Sequence, residues 1–221
     1  MFDAEAYMEE CRARLKKTFG ERLLYVGLQG SYLRSEATEH SDIDVMVVLD
    51  GMTAQDLDSY RDVIAALPHP EKSCGFICGK DELAHWNPLE ICHLLHTTKD
   101  YLGELKALVP LYSQHDIVNF IKYSIGNLEH EICHRYVHTD KQNSAQKLPY
   151  TYRSVFFILQ NLYYLKDGVF YPTKNELLKH LEGEDREIMA RMMSFGDAPN
   201  YDFDAAFTQL LTWCQRTLLI L

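Results

Sequence analysis

Gly30 and Ser31, followed closely by Asp42 and Asp44, have the residue types and spacing of a site for phosphate and metal. A turn of small residues lets backbone N–H groups approach a triphosphate, and the Ser31 hydroxyl adds a donor. Asp42 and Asp44 lie two apart at the start of the apolar run Val45-Met46-Val47-Val48-Leu49. Side chains alternate along a strand, so both carboxylates point to one face. Adjacent carboxylates repel unless a cation lies between them. Hard oxygen ligands beside a phosphate cradle favour Mg²⁺, which takes one or two carboxylates plus substrate phosphates. A plain strand-turn-strand with solvated carboxylates is the bland alternative, but it does not explain why Asp, a poor strand former, interrupts an apolar strand start twice.

The full stretch Gly30-Ser31-Tyr32-Leu33-Arg34-Ser35-Glu36-Ala37-Thr38-Glu39-His40-Ser41-Asp42-Ile43-Asp44 resembles the signature of the DNA polymerase beta-like nucleotidyltransferase superfamily. The likeness is nearest to the minimal and the kanamycin-type antibiotic nucleotidyltransferases. It implies a two-metal site that moves a nucleoside monophosphate from a nucleoside triphosphate, ATP being the expected one, onto a hydroxyl acceptor. On that resemblance Gly30 and Ser31 hold the triphosphate, Asp42 and Asp44 hold Mg²⁺, and Ser41 joins the nucleotide-binding set. Arg34 either contacts phosphate or sits on a solvated helix face. The expected acceptor is an aminoglycoside-like small molecule. Two other classes stay open: an antitoxin-like transferase that modifies a protein, and a nucleotide-binding pseudoenzyme.

Active relatives carry a third carboxylate on a later strand, as metal ligand or general base. The corresponding run here, Ser73-Cys74-Gly75-Phe76-Ile77-Cys78-Gly79, has no acid. Glu71, Asp81, Glu90 and Asp100 are the candidates, with Asp81 first because it is the nearest acid after the strand. Ser35, where many relatives have Gly, is a milder departure.

The elements that must position these residues follow from periodicity. Ala4, Tyr7, Met8, Cys11, Leu15 and Phe19 fall at helical spacing, and strands follow near 23–28 and 43–49. Thr53 with Asp56 caps a helix that ends before Pro68. Residues 73–78 read as a strand, 80–92 as a short helix and turn, and 93–97 as a short extended run. After Pro110 the stripes Ile117-Phe120-Ile121-Ser124-Ile125-Leu128-Ile132 and Tyr152-Val155-Phe156-Leu159-Leu162-Tyr163 are helical. Thr139 to Lys147 reads as a polar, mobile loop, Thr173 with Glu176 as a capping box, and Phe207 to Leu221 as a final helix. The expected fold class is α+β: a nucleotidyltransferase domain over 1–112, with a small mixed β-sheet flanked by helices, then a helical bundle over 113–221. The order of the two resembles kanamycin-type enzymes, in which the helices help build the acceptor pocket.

The chain of 221 residues is 47% hydrophobic and 24% charged, ordinary for a globular protein. No apolar run reaches membrane-span length, and the start Met1-Phe2-Asp3-Ala4-Glu5 lacks a basic region followed by an apolar stretch. A cytoplasmic protein without a membrane partner is expected, with its six cysteines reduced. The formal charge of −10 argues against nucleic acid as a partner and favours a cationic acceptor.

His130-Glu131-Ile132-Cys133-His134 satisfies H-E-x-x-H, the pattern of a zinc site with Glu131 as base. His138 extends the same face by one more turn, and no third ligand can be identified; an ordinary polar helix face is expected, ahead of noncatalytic metal binding by His130, His134 or His138 and of zinc proteolysis. Cys74, Cys78, Cys92, His93 and His96 form a second metal-like set. On a strand, however, positions four apart lie roughly 13 Å from each other, which points to buried free thiols instead. Tyr123, Tyr150, Tyr152, Tyr163 and Tyr164 are expected to pack in the core.

Overall fold

The computed structural model describes residues 2–195 and 200–221, in two units, Met1–Tyr112 and Ser113–Leu221. In the first, α1 (Ala4–Phe19) starts where the Asp3 carboxylate accepts the Ala6 N–H at 3.0 Å. Then come β1 (Leu23–Gln29), the single turn α2 (Gly30–Leu33), β2 (Ile43–Leu49), α3 (Ala54–Ala65), β3 (Ser73–Gly79), α4 (Lys80–Ala84), α5 (Pro88–His96) and β4 (Lys99–Leu102). The four strands form one mixed sheet in the order β3-β2-β1-β4. β1 runs antiparallel to β2 and β4, whereas β2 and β3 are parallel. A parallel pair needs a crossover, and α3 supplies it.

One sheet face, with Val26, Leu28, Val45, Val47 and Leu49, packs on Tyr7, Met8, Cys11 and Leu15 of α1 and Val63 of α3. The opposite face, with Tyr25, Met46, Val48 and Cys78, packs on Leu83 and Leu105. β2 is therefore covered on both sides, which is why Val45 to Leu49 is apolar without alternation. The Thr53–Asp56 capping box opens α3, and Arg22 closes on the same carboxylate at 2.7 and 2.9 Å. The Arg22 guanidinium and the Thr53 donors hold Asp56 well below the usual carboxylate range.

Two local expectations are corrected. Residues 93–96 are the last turn of α5, and the extended segment comes later, as β4. Asn87 caps that helix by accepting the Leu89 N–H, and Pro88 occupies its first position, a start signal that outweighs the short apolar run. The supposed mobile loop is mostly helix: the second unit comprises α6 (Gln114–His138), α7 (Lys141–Tyr152), α8 (Ser154–Asp167), α9 (Lys174–His180), α10 (Gly183–Ser194) and α11 (Phe203–Ile220). Asp140 caps α7 through the Asn143 N–H at 2.9 Å, and Ser144, Leu148 and Thr151 are its buried side.

Ile117, Ile121, Ile125, Leu128 and Ile132 are buried along α6. They share the core of the helical unit with Phe156 and Leu159 of α8 and Leu210 and Trp213 of α11. Of the five tyrosines expected in the core, Tyr152 and Tyr163 are buried and Tyr164 is half-buried, whereas Tyr123 and Tyr150 are exposed, which corrects the expectation for those two. Among the described residues, no helix is long and apolar enough to cross a membrane.

Candidate active site

β1 ends at Gln29, which pairs with Asp44 of β2, and the chain turns at once through Gly30. Gly30 has φ +73°, a left-handed conformation that glycine adopts without steric cost. A Cβ at this position would lie 1.8 Å from Asp44 Oδ2. The bare glycine is thus what lets the carboxylate lie against the Gly30-Ser31 turn. Burial raises the Asp44 carboxyl above the usual range, the Cys74 thiol opposes that by hydrogen bonding, Asp42 raises it further and Arg34 lowers it. Asp42 is exposed just before β2 and Asp44 is half-buried within it.

Arg34 ends α2 with its side chain 13% exposed and paired to Glu36 at 3.2 Å, so it does not lie on a solvated face. Its charge also acts on His93 of α5. Burial first, then Arg34 and His96, push the His93 imidazole down to about 4. Ser41 is committed to its own loop: its Oγ accepts the Thr38 N–H at 2.9 Å. Its carbonyl accepts from Lys72 Nζ at 3.2 Å, and Lys72 also donates to the Glu39 carbonyl at 2.6 Å. Sequence reasoning missed Lys72; the signal was its place immediately before β3, whose first residue, Ser73, pairs with Ile43.

The structure does not bring Asp81 to the aspartates. Cys74 near the start of β3 is aligned with Asp44, while Asp81 lies in α4 beyond Gly79, which pairs with Leu49. At ~3.3 Å per residue, the strand between those two rows spans about 16 Å. The other acids have their own partners. Glu71 meets His69 Nδ1 at 3.2 Å, Glu90 accepts from the Trp86 indole, and Asp100 accepts the Tyr25 hydroxyl at 2.5 Å.

The β3 side chain beside Asp44 is instead Cys74, exposed rather than buried, in contrast to Cys78 and Cys92. Gly75, at φ +124°, makes that close pairing possible, because a Cβ there would meet the Val45 carbonyl oxygen at 2.0 Å.

The two-carboxylate donor set suits a hard divalent cation such as Mg²⁺: all its atoms are oxygen, and Asp42 and Asp44 act on each other unfavourably until a positive charge intervenes. Among the described residues no group of three or more His, Cys, Asp and Glu is placed to hold one ion. Mg²⁺ here would take its remaining ligands from phosphate and water. Glu131 of the H-E-x-x-H stretch is engaged by Arg135 Nη2 at 2.5 Å and Thr151 Oγ1 at 3.0 Å. A groove of ≈ 540 Å³ in the helical unit, lined by Glu184, Glu187, Asp204 and Trp213 among others, takes no wall from β1 or β2.

A family model described as "Nucleotidyltransferase domain" matches residues 8–120, which include every site residue above. No curated protein matches the chain. Among solved structures, the fold is similar to that of spectinomycin adenyltransferase AAD(9) from Enterococcus faecialis, crystallised with ATP and spectinomycin. The TM-score is 0.61 at 16% identity, covering 98% of this chain and 100% of that one.

Proposed function

We propose that this chain, which belongs to the nucleotidyltransferase domain family, moves a nucleoside monophosphate from ATP to a hydroxyl of a small, cationic, aminoglycoside-like acceptor. The observation that carries the proposal is the Asp44 carboxylate lying against the Gly30-Ser31 turn, in space only a glycine leaves open. Backbone N–H groups at the turn and the Ser31 hydroxyl bind the triphosphate, with Arg34 as a further positive charge. Asp42 and Asp44 bind Mg²⁺; when bound, it offsets charge on the phosphates and on the departing pyrophosphate. The acceptor oxygen attacks the α-phosphorus, the bond from that phosphorus to the bridging oxygen of pyrophosphate breaks, and the hydroxyl proton is released.

ATP and a spectinomycin-like acceptor are supported by what the similar fold was crystallised with, and a cationic acceptor by the formal charge of −10. Nucleotide and metal are assigned to residues 1–112. Reduced cysteines fit a cytoplasmic setting.

Pyrophosphate release from ATP and Mg²⁺ across a panel of hydroxylated amines tests the reading. Release with at least one acceptor, lost in Asp42→Asn/Asp44→Asn, is expected. ATP affinity indifferent to Mg²⁺ overturns it. Mg²⁺-dependent binding with no release from any acceptor supports a second reading, nucleotide binding without turnover, which the thiol rather than a carboxylate beside Asp44 favours.

A further inference from the structure

His130, His134 and His138 follow one another at one-turn spacing along an exposed face of α6. The sequence motif pairs the first two, but the closer pair of rings is the last two. Ring centroids are 4.8 Å apart for His134 and His138, and 5.9 Å apart for His130 and His134. Two imidazoles sharing one ion at metal–nitrogen distances of ~2.1 Å, with a ligand angle between square and tetrahedral, place their ring centres about 4.5–5.3 Å apart. His134 and His138 fall inside that window and His130 with His134 outside it.

His138 is also the last residue of α6, where the helix terminus carries partial negative charge that favours a cation. Glu131, the acid of the motif, is turned to Arg135 and Thr151. An ion held here therefore has two protein ligands and completes its shell with water, consistent with no larger ligand group among the described residues. Imidazole nitrogen suits Zn²⁺ and Ni²⁺ and discriminates against Mg²⁺.

We propose that His134 and His138 form a surface site for a transition-metal ion of the Zn²⁺ or Ni²⁺ type, from which His130 is excluded. The site is independent of the aspartate pair in both ligand chemistry and metal preference.

The test is calorimetric titration of Ni²⁺ into the full chain, free of any affinity tag and carrying Asp42→Asn, Asp44→Asn and Cys74→Ser to silence other ligands. One ion per chain is expected, with affinity lowered roughly tenfold or more by His134→Ala or His138→Ala and by less than about twofold by His130→Ala. No saturable binding overturns the proposal, as does a loss in His130→Ala equal to that in His138→Ala. Imidazole ¹⁵N spectra with Zn²⁺ give an affinity-independent check. Signals of His134 and His138 should move together, and joint movement of His130 and His134 instead would restore the motif pairing.

Discussion

Gly30 and Asp44 contend for the same volume: a methyl group on the first would lie 1.8 Å from a carboxylate oxygen of the second. Gly30→Ala should therefore expel the Asp44 carboxylate and strain a backbone held at φ +73°. The backbone term alone costs about 1–2 kcal/mol. Thermal denaturation should show the loss, and calorimetry should show the Mg²⁺-dependent part of ATP affinity falling by at least about tenfold. Retained Mg²⁺ dependence would detach the turn from the metal site.

Ser35 follows Arg34 at φ +55°, a left-handed backbone that a residue with a Cβ resists. Ser35→Gly relieves ~1–2 kcal/mol of strain and adds ~0.5–1 kcal/mol of unfolded-state entropy, for a net gain of about 0.5–1 kcal/mol. Urea unfolding measures it, and a destabilised variant would mean that the serine side chain holds the turn.

Cys74→Asp sets a third carboxylate beside Asp44, where β3 now presents a thiol. With ATP present, Mg²⁺ should bind roughly three- to tenfold more tightly, since a hard cation prefers oxygen to sulfur. Cys74→Ser, which adds no charge, should leave the affinity nearly unchanged. Equal affinities for all three proteins would place the metal away from β3.

His93 gives a pH dependence with a definite sign. Its imidazole titrates at about 4 in the folded chain against an ordinary 6.5, so between those values the unfolded chain binds a proton that the folded chain refuses. Stability is complete above 6.5 and is lost as the pH falls toward 4, with a slope of up to about 1.4 kcal/mol per pH unit. Denaturant unfolding of His93→Gln should show a flatter profile in that window. Parallel profiles would show that His93 is as easily protonated folded as unfolded.

What could be read from the sequence was local. β1, β2 and the Gly30-Ser31 turn announce themselves through an apolar run, a small-residue break and two interrupting acids. The neighbour that β3 brings to Asp44 was not legible, because it depends on the register of a parallel pair closed through α3. Proximity in sequence favoured Asp81, whereas the register carries that residue to the wrong end of the strand. The short stretch His93 to Thr97 fits helix or strand equally, and only the Asn87-Pro88 start decides it. α7 hid because most of its first turns are polar, and its buried side rests on Ser144 and Leu148 rather than on a continuous stripe.

Asp44 is bracketed by two strands that reach it from opposite directions along the chain, Gln29 from before and Cys74 from after. In the time course of synthesis, the hairpin of β1 and β2 can close as soon as both have left the ribosome. The second flank must wait for α3 and β3 to emerge and dock. Such non-local closure is the slow part of building a sheet. The surroundings of Asp44 should therefore be completed late in the life of the nascent chain, only after β3 has docked.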